Sequence, residues 1–182
     1  HPPPPTHHPT SRCSSAASDV YKRQVQAAVL VGVLGGSSVL ARVGFGSLVL
    51  RLGSFRLYRG CFVIHTLSFA IWLVAGDSYA ALVVFVAVLG VGYGGFVALS
   101  PILISDRMGV AGLGSILGVL YTAPGLGGLI GPPAAGWLID RTDTYRWAIL
   151  ACLASSALSV VLLSGLPVDE YGRLERAPDA RG

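Results

Sequence analysis

The sequence predicts an all-α membrane protein of about five transmembrane helices, and three observations carry that prediction. Of 182 residues, 53% are hydrophobic and only 12% are charged, against ~25% charged in a typical soluble domain. The charges cluster, and the runs between them approach the ~20 apolar residues needed to cross a ~30 Å hydrocarbon core. The 24 glycines fit the same class, because Gly is more frequent in membrane helices than in soluble ones. So few charged side chains would leave a soluble fold of this size with very large apolar patches, which argues against a soluble enzyme. Strands do not fit either. The runs are too long, and an open sheet in lipid would leave backbone groups unpaired.

Residues 1–23, HPPPPTHHPTSRCSSAASDVYKR, have no apolar core and no helical or strand period. They are expected to be a disordered leader outside the native protein, and SAASDVYKRQ resembles translated adapter sequence from assembled reads. The leader is not a signal peptide, which needs a basic start followed by an apolar stretch. His1, His7 and His8 lie among prolines that cannot hold metal ligands in fixed geometry.

The partial bundle is expected over residues 24–167. The first span, 25–50, contains one charge, Arg42. The second, 58–76, is short and carries His65 and Trp72. The third, 79–105, is free of charge. The fourth, 110–139, is too long for the core as one straight helix, so a break or an overhang is expected, with Pro124 and the GPP at 131–133 as the obvious places. The fifth, 146–166, stops at Pro167, and 168–182 form a polar tail.

Orientation follows from Lys and Arg in the short loops. Arg51, Arg56, Arg59, Arg107, Arg173, Arg176 and Arg181 fall on one side, against Arg141 and Arg146 on the other. The tail is therefore expected in the cytoplasm and the start of the first span outside. A chain that starts outside without a signal segment points to a helix upstream.

Glycine is concentrated at 32–38, 90–95, 112–118 and 125–136. Small residues at spacings of three and four let helices pack closely in lipid; the alternative is that such faces line a cavity. GVGYGG at 90–95 is not a dinucleotide fingerprint, since its spacing differs and no acid lies about 20 positions on. No basic stripe with exposed aromatics points to nucleic acid. The cysteines Cys13, Cys61 and Cys152 fit neither a disulfide framework nor zinc spacing, and Cys61 and Cys152 are expected to be packing residues. No Ser/His/Asp set or carboxylate pair is placed for catalysis, so no enzyme, cofactor or metal is expected.

Arg42 is the functional candidate. An ionised group inside a span costs at least ~2.5–3.5 kcal/mol to insert. By helical spacing it shares a face with Gly35, Ser38 and Gly46, and its guanidinium suits a carboxylate bidentately. It could instead bind backbone carbonyls of a broken neighbour. Tyr93, Val97, Ser100 and Ile104 share a face of the third span, with Pro101 loosening the helix beside them. Tyr121 and Thr122 precede Pro124 on the fourth. These hydroxyls either contact a solute or bond to carbonyls within the bundle.

Three stretches, GYGGFVALSPILISDRMG, GLGSILGVLYTAPGLGGLIGPPAAGWLID and YRWAI, resemble the last three helices of major facilitator superfamily transporters of the monocarboxylate and oxalate/formate type. Upstream, SVLARVGFG resembles the eighth helix of monocarboxylate transporters, where an arginine followed four residues later by glycine takes part in substrate recognition; Arg42 and Gly46 match. The resemblance implies helices eight to twelve of a twelve-helix transporter. Substrate contacts would fall on Arg42, Ser38, Tyr93, Ser100 and Tyr121, and the cytoplasmic gating loop on Gly46, Arg51 and Gly53. Two positions depart from the family. Ser38 stands where an aspartate linked to proton coupling is common, and in GSLVLRLG Leu50 takes the acidic place of GxLxDRxG. No acid lies inside an expected span, so a proton carrier would belong to the missing half, and anion exchange or facilitated movement stays open.

The expected function is secondary transport of a small organic anion by alternating access, with the lipid bilayer and the missing N-terminal half of the transporter as partners, and with the fragment alone inactive. The rival reading is a non-transporting membrane scaffold or partner-binding helical protein.

Overall fold

The computed structural model describes residues 9–76 and 78–165, with side chains described from residue 20 onward except at 107 and 108. Five helices follow in order: α1 (Pro9–Leu52), α2 (Ser54–Ala75), α3 (Tyr79–Met108), α4 (Leu113–Thr142) and α5 (Arg146–Gly165). Each contains a segment long and apolar enough to cross a membrane, and no strand occurs among the described residues.

The main difference from expectation is at the start. Helix α1 begins at Pro9, so residues 9–23 of the expected disordered leader are helical. Lack of an apolar stripe argues against burial, not against helix. Proline suits the first helical turn, no Gly, Pro or Asn interrupts the run from 10 to 31, and Ala, Lys, Arg and Gln are good helix formers. The segment fit for crossing is Val20–Leu52. Residues 1–8 and the tail at 168–182 lie outside the described residues.

Glycines at positive φ make the turns. Gly53 (φ 81°) is the single residue between α1 and α2, so α2 starts at Ser54 rather than 58. Gly76 (φ 55°) ends α2, and the Ser78 hydroxyl accepts from the Ala81 N–H at 3.4 Å to cap α3. Gly109 and Gly112, both at φ 75°, shape the α3–α4 turn and move the start of α4 to Leu113. Helix α4 then runs unbroken past Pro124 to Thr142. At 30 residues it measures about 45 Å, so the excess length is taken up as overhang. Asp143 closes it in the left-handed region, its N–H donating to the Ile139 carbonyl at 2.8 Å. Trp137, Tyr145 and Trp147 are exposed around the α4–α5 turn, and the Arg141 guanidinium lies 4.8 Å from the Trp137 ring centroid. Aromatic and basic residues gathered at a helix end suit a membrane–water interface.

Helix α3 is the centre of the bundle, flanked by α1 and α2. Its glycines at 90–95 divide between the two neighbours. A Cβ at Gly90 would lie 2.6 Å from the Leu34 carbonyl oxygen, and one at Gly94 would lie 2.9 Å from the Ser38 carbonyl carbon. Toward α2, a Cβ at Gly92 would lie 3.1 Å from the His65 nitrogen, and one at Gly95 would press both on Cys61 Sγ of α2 and on the Phe45 ring of α1. Spacings of four (90, 94) and three (92, 95) place these pairs on opposite sides of one helix, so backbone approaches backbone twice within two turns. The order of contacts makes α1 parallel to α3 and α2 antiparallel to it. The Tyr79 hydroxyl adds a bond to the Gln26 carbonyl at 3.2 Å.

Beyond the glycines, side chains fill the seams. Leu57, Tyr58, Cys61 and Leu99 are buried together, with Phe45, Phe96 and Leu163 against them. Phe62 and Phe96 meet edge-on at 5.9 Å, and further along Trp72 stacks on Phe85 at 4.8 Å. Cys61 is buried and Cys152 exposed, so only the first of the two expected packing cysteines packs within the bundle. Helix α4 has no buried residue.

This arrangement separates essential glycines from tolerant ones. Gly94→Ala is expected to cost about 1–3 kcal/mol by overpacking α1 against α3, whereas Gly128→Ala, with nothing within 4 Å of its added Cβ, is expected to change stability little. Thermal melting of both variants in detergent or nanodiscs checks the contrast.

Candidate functional site

Four candidate residues lie on α1, and the bundle treats them differently. Ser38 is buried at the α1–α3 seam opposite Gly94, while Gly35, Arg42 and Gly46 on the same helical face are exposed. The packing of Gly94 onto the Ser38 backbone covers the serine, and the seam continues at Ala41 and at Phe45 against Gly95, leaving Arg42 on its flank. Arg42 therefore projects away from its own bundle, and among the described residues no hydrogen bond or ion pair engages its guanidinium. Its alternative partners, the carbonyls of a broken neighbour, are not in place: α4 is continuous. Ala41, Gly44, Phe45 and Leu48 line an open apolar depression along α1, and Arg42 is not part of its lining. An unengaged guanidinium has the chemistry to hold a carboxylate bidentately.

Most hydroxyls follow a common rule, and one buried hydroxyl does not. With no water to bond to in lipid, Ser and Thr side chains turn back onto their own helix. Ser37 donates to Leu34 O at 3.1 Å, Thr66 to Phe62 O at 2.9 Å, Ser100 to Phe96 O at 2.6 Å and Thr122 to Gly118 O at 2.8 Å. Ser38 Oγ is buried with no hydrogen-bond partner among the described residues. A buried unpaired hydroxyl costs free energy, and it sits one turn from Arg42.

Tyr93 and Ser100 share a face by spacing, yet the structure does not bring them into one space. Tyr93 is 48% exposed and Ser100 only 1%. Seven residues are about two helical turns, and the neighbours cover only the second position. There Tyr58 of α2, itself buried, sets its ring against Phe96 at 5.9 Å. The Tyr121 hydroxyl donates to the Val97 carbonyl at 3.3 Å, and its ring meets Phe96 edge-on at 6.2 Å. Of the two readings open for these hydroxyls, the observed bonds of Ser100, Tyr121 and Thr122 all go to carbonyls. Tyr58 was not legible as a member of this cluster, because its place against Phe96 depends on how α2 crosses α3.

The gating candidates form a separate group at the end of α1. Gly46 has open space around it, Arg51 is exposed in the last turn, and Gly53 is the turn itself. A cation in the last turn complements the helix dipole. The Gly53 N–H donates to Val49 O at 3.0 Å and its carbonyl accepts from Leu57 N at 3.4 Å, so one residue both ends α1 and starts α2. Among the described residues no three His, Cys, Asp or Glu side chains gather as a metal site.

A five-helix membrane bundle with an unpartnered internal arginine fits a solute carrier, and comparison with known proteins gives the family. The family model for the Major Facilitator Superfamily matches residues 16–182, a match that begins within the segment read as a leader. The chain belongs to the major facilitator superfamily, a family of membrane transporters. It is 33% identical to monocarboxylate transporter 12 of Rattus norvegicus over 141 residues, covering 76% of this chain and 29% of that protein. It is 32% identical to monocarboxylate transporter 12-B of Danio rerio over 168 residues, covering 85% and 33%. It is also 33% identical to the MFS transporter asaE of Aspergillus flavus over 116 residues, covering 63% and 26%. The chain thus spans about a third or less of the length of these relatives. No solved structure matches it.

The α1–α2 turn yields a direct test. Only glycine adopts φ 81° without a Cβ penalty, so Gly53→Ala is expected to destabilise the bundle by about 1–2 kcal/mol. The expected readout is a lower melting midpoint together with faster proteolysis at the turn.

Proposed function

We propose that this chain is the C-terminal part of a secondary transporter for a small organic anion, with Arg42 as the charge partner of the solute. The observation that carries this reading is the exposed guanidinium inside a membrane-crossing helix, without a partner among the described residues. An unpaired cation at membrane depth is costly, and a bound anion would relieve that cost while it is present. Similarity to monocarboxylate transporters supports a carboxylate as the anionic group.

Ser38, with its free hydroxyl, and the half-exposed Tyr93 are the further contacts on offer; Ser100 and Tyr121 serve the bundle in this conformation. Gly46, Arg51 and Gly53 would form the cytoplasmic gate, which places the tail in the cytoplasm. Helix α4, unburied along its length, supplies a face for helices outside this chain. Alternating access would rock this bundle against an N-terminal bundle around a midplane site, so the fragment alone should not transport. Ser38 and Leu50 at positions where the resemblance implies acids leave proton coupling to residues elsewhere, and anion exchange or facilitated movement needs none.

In a full-length transporter carrying this segment, Arg42→Ala is expected to abolish uptake of labelled monocarboxylates with membrane insertion intact. Arg42→Lys is expected to restore little, because a point charge cannot reproduce the bidentate fork. Undiminished uptake by Arg42→Ala would refute the role. Absence of uptake by the unaltered full-length protein would favour the scaffold reading.

A further inference from the structure

The Val97 carbonyl is the acceptor that an α-helix would pair with the N–H of residue 101, and residue 101 is proline. In lipid such an orphaned carbonyl has no water to turn to. The structure places the Tyr121 hydroxyl of α4 on that oxygen, at 3.3 Å. The choice of acceptor is selective. The prolines of α4 expose the carbonyls of Leu120, Gly128 and Leu129 in the same way, and no side-chain donor among the described residues reaches them. A second contact fixes the same tyrosine, whose ring meets Phe96 edge-on. Helices α3 and α4 touch far less than α3 touches α1 or α2, so a single bond there carries unusual weight.

We propose that Tyr121 is a positioning residue that replaces the backbone donor lost at Pro101 and thereby ties α4 to α3 at the proline turn. The hydroxyl does in trans, from a neighbouring helix, what the N–H of residue 101 would do in cis. The geometry has a specific consequence: the tyrosine matters because the proline is there. Replacing Pro101 by Ala returns an N–H to the Val97 carbonyl and leaves the hydroxyl redundant. This assignment stands apart from the identity of any solute, and loss of the Arg42 reading would leave it intact.

The test is a double-mutant cycle on the full 182-residue chain in lipid nanodiscs, comparing Tyr121→Phe, Pro101→Ala and the double variant with the parent. Phenylalanine keeps the ring against Phe96 and removes only the hydroxyl. Expected is a fall in melting midpoint of roughly 2–4 °C for Tyr121→Phe in the parent, and little change when the same substitution is made on Pro101→Ala. The second readout is the Val97 carbonyl resonance, one of the four Val–Ala signals (74–75, 86–87, 97–98 and 110–111) selected by labelling valine carbonyl carbon and alanine nitrogen, and assigned by its loss in Val97→Ile. It should move with Tyr121→Phe in the parent and stay still in the Pro101→Ala background. An equal fall in both backgrounds, or a carbonyl resonance that ignores Tyr121→Phe in the parent, overturns the proposal.

Discussion

Close backbone approach at the glycines of α3 is the constraint on which the bundle depends. Lipid offers no hydrophobic drive between helices, so association comes from van der Waals contact and hydrogen bonds. Gly90 and Gly94 admit α1, Gly92 and Gly95 admit α2, and both neighbours come within reach of the α3 backbone. The larger side chains then fill what the glycines leave open, with Leu99, Cys61 and Tyr58 in one layer and the Phe85–Trp72 stack in another. The glycines at 125–136 meet nothing within 4 Å among the described residues. The same composition therefore performs different tasks according to whether a neighbour is present.

The polar atoms are governed by the shortage of water. Most hydroxyls return to their own helix, and Tyr121 supplies the Val97 carbonyl beside Pro101. The buried hydroxyl that departs from this closure lies on α1, one turn from the unpaired Arg42. Ser38 Oγ is buried and unpaired, and Arg42 is exposed without a protein partner. A membrane helix that leaves its hydroxyl and its cation unsatisfied at adjacent turns has polar capacity to spare for something outside the bundle. The proposed anion site rests on that surplus, and family membership supports the class of solute.

Much of this was legible in the sequence because the bilayer is a strict solvent. Charge-free runs of the required length can only be helices there, so the number of spans and their order followed from composition and spacing, while the glycines at positive φ that make the turns came from the structure. The motifs around Arg42 and GPPAAGWLID likewise carried the family. The start of α1 was less legible, because an apolar period reports burial and not helix formation as such. The length of α4 left break or overhang open, since proline weakens a helix without dictating whether neighbouring bonds hold it.

Tertiary structure alone decided which members of one helical face are buried. Ser38 and Arg42 share a face by spacing, as do Tyr93 and Ser100, yet within each pair one is covered and the other open. The period of a helix fixes angle and not depth along the axis. Where a neighbour crosses, and so which turn it covers, depends on contacts between residues far apart in the chain, such as Gly94 with Ser38 and Tyr121 with Val97. The sequence by itself determined five membrane helices and one charge that lipid does not welcome. The packing of α1, α2 and α4 around α3 determined that this charge stays free while the hydroxyls near Pro101 are taken.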